Sequence, residues 1–141
     1  KKIIEATTLF FFNKEEAAKL LGLPHSTKMR ELLSGVKKLG PKIAVITDGP
    51  NGSTCFDGKN FLQLGIYAVP VIERTGVGDA FSTAFSAAYL AGLDLQTCLK
   101  WGTINSSGVI QKIGPIDGLH SRKEIQKILS KIPRFTKTSF W

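Results

Sequence analysis

The spacing of apolar positions changes along the chain, and each change marks an element. Residues 6–12, ATTLFFF, are β-branched and aromatic, which predicts a buried strand. Beyond it the period widens. Asn13 can cap a first turn that carries Glu15 and Glu16, and Gly22 can stop it, so NKEEAAKLLG predicts a helix. HSTKMRELLSGVKKLG predicts a second helix with Leu32, Leu33, Val36 and Leu39 on one face, before Pro41 breaks the chain. Residues 42–49, KIAVITDG, form a continuous apolar run between breakers, as suits the centre of a sheet covered on both faces. STCFDGKNFLQL predicts two short strands joined at Asp57-Gly58. IYAVPVIE predicts another strand, with Pro70 at a bend or edge.

Three helices are expected to close the chain. One runs from about Gly78 to Ala91 and stops at Gly92. Another runs from about Asp94 through Val109 to Lys112. The last starts at Ser121, where SRKE forms a capping box, and reaches Lys131 before Pro133. Residues 133–141 read as a tail, and residues 1–132 as one unit with no dividing linker. Strands alternating with helices, plus one hairpin, predict a three-layer α/β/α domain.

Composition narrows the function classes. No apolar run approaches the roughly 18 residues a membrane span requires. The formal net charge is +8, but the lysines and arginines are spread out and do not interleave with aromatics. Nucleic acid is therefore not the expected partner; a basic solvated surface or an anionic small substrate is. Cys55 and Cys98 lack metal-ligand spacing and read as buried thiols of a cytoplasmic protein. His25 and His120 stand without ligand partners and read as surface or capping residues. The chain lacks an initiator Met, and it reads as an excised piece of a longer one.

The candidate chemistry is concentrated in ERTGVGDAFSTAF, residues 73–85. It lies between an expected strand and an expected helix, where α/β sheets place their ligands. The first amides of a helix have no internal partner and carry the positive end of its dipole. Glycines let an anion approach them closely. Gly76, Val77 and Gly78 can thus form a pocket for developing negative charge, with Asp79 at its edge. A carboxylate there makes sense as a base that takes a proton from an attacking hydroxyl. The same residues also suit a tight turn with Asp79 as a cap.

The stretch resembles the signature of the ribokinase-like (PfkB) family of carbohydrate kinases. The resemblance implies that Asp79 is the catalytic base for transfer of the ATP γ-phosphoryl group, with Gly76, Val77 and Gly78 as its anion hole and Thr75 in the same nucleotide-binding turn. Further segments match in order. FFNKEEAAKLLG implies Asn13 and Glu16 near Mg2+. VITDGPNGS implies Thr47, Gly49 and Gly52 at the phosphates. WGTINSSGVIQKIGPIDGL implies Asn105 and Gly108 beside the adenine. Glu73 stands where many members place an Asp that helps hold a monovalent cation. The family builds its sugar pocket mostly from an N-terminal half, so this chain resembles the C-terminal, nucleotide-binding half. The expected substrate is a sugar or nucleoside, and uncovered sheet edge invites a homodimer. The rival reading is a non-catalytic nucleotide-binding or interaction module of the same fold. No P-loop or dinucleotide fingerprint occurs.

Overall fold

The computed structural model describes residues 2–131 and 134–136. Its elements follow in the order α1 (Lys2–Glu5), β1 (Leu9–Asn13), α2 (Lys14–Leu21), α3 (Met29–Lys38), β2 (Ile43–Thr47), β3 (Ser53–Phe56), β4 (Phe61–Leu64), α4 (Val77–Leu90), α5 (Leu95–Val109) and α6 (Arg122–Ser130). A short 3-10 turn, Gly49–Asn51, separates β2 from β3. The strands form one sheet in the order β1-β2-β3-β4. β1 and β2 are parallel, registered from Leu9 opposite Ile43 to Asn13 opposite Thr47. A parallel pair needs a crossover, and α2 with α3 supplies it. β2 and β3 are antiparallel. Between β3 and β4 the Asp57 carboxylate accepts from the amides of Lys59 and Asn60, both at 2.7 Å, and closes the turn.

Two compact units divide the chain, one ending at Gln63 and one beginning at Leu64. In the first, Ala17 and Ala18 of α2 and Met29, Leu32, Leu33 and Val36 of α3 bury against Ala44 and Ile46, flanked by Phe10, Phe12 and Phe56. This is the amphipathic packing expected of a crossover, with small residues where α2 approaches closely. In the second unit α4 packs on α5. Phe81, Phe85, Ala84 and Ala88 are buried on α4; Cys98, Leu99 and Ile104 are buried on α5. Gly102 leaves room for the Phe81 ring, which a Cβ would meet at 2.8 Å. Both cysteines are buried and neither is in a disulfide. Burial, with a contribution from the Asp94 charge, pushes the Cys98 thiol up to about 11.

Several boundaries differ from the expectation. The first strand starts at Leu9, because residues 2–5 form a helical turn and Thr7 Oγ1 donates back to the Ile3 carbonyl at 2.8 Å. α3 starts at Met29 rather than near His25, because residues 24–27 close a turn through the Thr27 amide and the Pro24 carbonyl. No strand forms over residues 66–73. Pro70 has no N–H to give. The flanking amides find isolated partners instead: Ile72 and Glu73 both donate to the Ile110 carbonyl, at 2.8 and 3.2 Å. Val71 and Ile72 are left 55% and 61% exposed. Of the expected tail, residues 134–136 are described. The Thr136 amide donates to the Ile66 carbonyl at 2.9 Å, and Phe135 lies against Tyr67. The aromatics Phe140 and Trp141 fall outside the described residues. Among the described residues no helix is long and apolar enough to cross a membrane.

Candidate functional site

In the first unit, the carboxyl ends of two parallel strands bring Asn13 and Thr47 to the same level. Asn13 caps α2: its Oδ1 accepts from the Glu16 amide at 2.8 Å, while its own amide donates to Glu16 Oε2 at 2.9 Å. The two residues expected near Mg2+ thus form a reciprocal capping box. Glu16 is exposed, and its Oε1 accepts no hydrogen bond among the described residues. Thr47 Oγ1 donates to the Phe12 carbonyl at 3.4 Å. The following turn closes on itself: the Asp48 amide donates to the Gly52 carbonyl at 2.8 Å, and the Gly52 amide to the Gly49 carbonyl at 3.1 Å. Gly49 and Gly52 take φ of 49° and 94°, which side chains resist. The Gly49 amide has no acceptor among the described residues, whereas the Gly52 amide is spent inside the turn. Lys14 reaches Asp48 at 3.4 Å, and Asn51 Nδ2 reaches the same carboxylate oxygen at 3.2 Å. That pairing links α2 to the turn. Only the parallel register brings the two together, so the sequence alone gives no hint of it.

In the second unit, Gly76 stands at φ 76° as the residue that opens α4. The first helical bond runs from the Ala80 amide to the Gly76 carbonyl at 2.9 Å. The amides of Gly76, Gly78 and Asp79 have no acceptor among the described residues, while the Val77 amide makes a long bond, 3.4 Å, to the Arg74 carbonyl. The open donors are thus Gly76, Gly78 and also Asp79, with Val77 partly engaged. The Asp79 side chain is exposed and forms no hydrogen bond or ion pair among the described residues. A carboxylate beside three open amides at a helix start can accept a proton next to a place that favours an anion.

Neighbours of this turn include residues of the segment 110–120 and Asn105 of α5. Pro115 fills the space where a Gly76 Cβ would sit. The Glu73 carboxylate accepts from the Gly114 amide at 2.8 Å. The Thr75 hydroxyl and then that amide hold Glu73 below the usual glutamate range. Asn105, expected beside the adenine, is 4% exposed. Its Nδ2 donates to the Ala80 carbonyl at 2.9 Å, and its Oδ1 accepts from the His120 amide at 2.8 Å. Gly108 lies against Gly118, so close that a Cβ on either would strike the other's carbonyl. Among the described residues, no three His, Cys, Asp or Glu side chains gather as a metal site.

Residues 1–122 match the family model described as pfkB family carbohydrate kinase. The chain is 29% identical to the ribokinase of Arabidopsis thaliana over 91% of its own length and 35% of that protein's. It is 31% identical to the cytidine kinase of Thermococcus kodakarensis, over 81% of its own length and 41% of that protein's. The solved structure of Arabidopsis ribokinase complexed with ribose and ATP superposes with a TM-score of 0.84, covering 91% of this chain and 42% of that one. The nucleoside kinase of Methanocaldococcus jannaschii gives a TM-score of 0.77 at 27% identity, over 92% of this chain and 42% of that one. The chain therefore has the α/β fold of these kinases and spans less than half the length of the relatives it matches.

Proposed function

From a chain that belongs to the pfkB family of carbohydrate kinases, we propose the nucleotide-binding and catalytic part of an ATP-dependent sugar or nucleoside kinase. The observation that carries the reading is the start of α4: open amides at Gly76, Gly78 and Asp79 beside an exposed carboxylate. In this reading Asp79 takes the proton of the acceptor hydroxyl as its oxygen attacks the γ-phosphorus, and the bond to ADP breaks in line. The amides meet the charge that develops on the transferring group. The resemblance also assigns Thr47, Gly49 and Gly52 to the phosphates, and the open Gly49 amide supports that role for Gly49. The domain reading stands with it: residues 1–132 as the C-terminal part of a kinase domain.

Mg2+ would supply charge neutralisation at the phosphates. Glu16, with one carboxylate oxygen outside its capping box, fits an ion that is held largely through water. Glu73, kept ionised by Thr75 and Gly114, suits a monovalent cation nearby. Ribose and cytidine, which the relatives' names point to, are the first acceptors to assay. A cytoplasmic location and self-association through the edge strand β1 belong to the same reading; light scattering reads the latter.

The test is calorimetric titration of the chain with Mg-ATP, beside a Gly78→Asp variant. A Cβ at position 78 meets nothing within 4 Å, so the added carboxylate changes charge without a collision. Binding by the parent and loss in the variant support the reading. Equal binding by both removes the anion site from α4.

A further inference from the structure

The segment 110–120 touches the connection into α4 at more points than loop closure requires. At its start, the Ile110 carbonyl takes the amides of Ile72 and Glu73. In its middle, the Gly114 amide donates to Glu73 and the Pro115 ring occupies the space beside Gly76. Near its end, Gly118 packs on Gly108, and the His120 amide donates to Asn105. Asn105 joins all of this to the helix itself, because its Nδ2 holds the carbonyl of Ala80, the residue after Asp79.

Among the described residues, the Asn105 amide of α5 hydrogen-bonds both to the first turn of α4 and to this segment. A buried amide lacking either partner would leave polar groups unsatisfied, so the bonds at both ends fix its position. The Ala80 carbonyl also lies within the helix ladder. A second donor there changes the direction of the first turn rather than creating it. The amides of Gly78 and Asp79 belong to that turn and have no partner of their own to aim them.

We infer that residues 110–120 form a brace that sets the direction of the open Gly78 and Asp79 amides, with Asn105 as its positioning residue. Asn105 then contributes to phosphate binding without touching the nucleotide. Gly108 and Gly118 serve the brace through close backbone approach, which also accounts for a glycine within α5. The consequence for ligand affinity rests on the proposed nucleotide site; the geometry of the brace does not.

The experiment compares the parent chain with Asn105→Leu, which keeps side-chain bulk and removes both hydrogen bonds. A second variant, Gly118→Ala, acts through a different contact: its new Cβ meets Gly108 and the Val109 Cα, so the segment must shift. Circular dichroism selects a temperature at which all three are folded. The 1H–15N resonances of Gly78 and Asp79 are then recorded without ligand, followed by titration with Mg-ATP. The expected result is displacement of both resonances in both variants and affinity for Mg-ATP lower by about tenfold, the scale of one misplaced hydrogen-bonding unit. Should Asn105→Leu fail to fold, Gly118→Ala decides alone. Resonances at their parent positions in a folded variant would overturn the brace. Displaced resonances in a chain whose parent binds no Mg-ATP would uphold the brace and overturn the nucleotide reading.

Discussion

A side chain at position 76 has nowhere to go: the backbone is left-handed and Pro115 fills the space. Two neighbouring glycines therefore answer different questions. Gly76→Ala is expected to destabilise the chain, and the midpoint of a urea melt measures it. Gly78→Asp is expected to leave that midpoint near its parent value while abolishing Mg-ATP binding. Asp79→Asn is expected to keep the melt unchanged, since the carboxylate is exposed and forms no bonds among the described residues. On the proposed reading, the same change in a full-length kinase containing this segment is expected to lower turnover by about 10²–10⁴-fold, the usual contribution of a general base. The turn itself was legible in the sequence, because two glycines before a run of small and apolar residues mark the start of a helix. Asn105 was not. A mid-helix amide reads the same whether it faces solvent, ligand or a distant carbonyl, and only the packing of α4 on α5 separates these cases.

At the scale of elements, legibility followed local signals. The Asn13 cap with its Gly22 stop and the Ser121 capping box formed as read, and the helix expected from about Asp94 begins there with Asp94 as its cap, because each is settled within a few residues. The apolar run that became β2 announced a strand buried on both faces. Residues 66–73 misled because β-branched composition alone does not make a strand; a partner with free backbone groups is also required. The two kinds of element fail differently when cut. Asn13→Ala is expected to cost about 1 kcal/mol through the lost cap. Phe85→Ala, fully buried on α4, is expected to cost about 3–5 kcal/mol. Thermal or urea melts of the two variants test that ordering.

For the molecule as a whole, acid is the informative variable. Asp57, Glu73, Asp94 and Glu124 are all held below their ordinary values, chiefly by hydrogen bonds from the chain around them. A carboxylate depressed by folding adds stability that is complete above its unfolded value. That stability is lost as pH falls through the folded value. Unfolding midpoints are therefore expected to hold steady at neutral pH. They should decline once pH drops past the ordinary values of 4.5 for Glu and 3.8 for Asp. Each of these groups is open to solvent, so each contribution is small and salt-tolerant through its hydrogen bonds rather than its charge. The four sites span both units, in a hairpin turn, two helix caps and the Glu73 loop. A chain whose midpoint rose on acidification would contradict all four.

The burial of Cys55 and Cys98 has a practical consequence. Maleimide coupling needs a sulfur that the reagent can reach, and both native sulfurs are buried. A single cysteine placed at the exposed, unobstructed position 78 would accept a fluorophore while the native pair stayed dark. Its emission would then report, molecule by molecule, when something charged arrives at the start of α4.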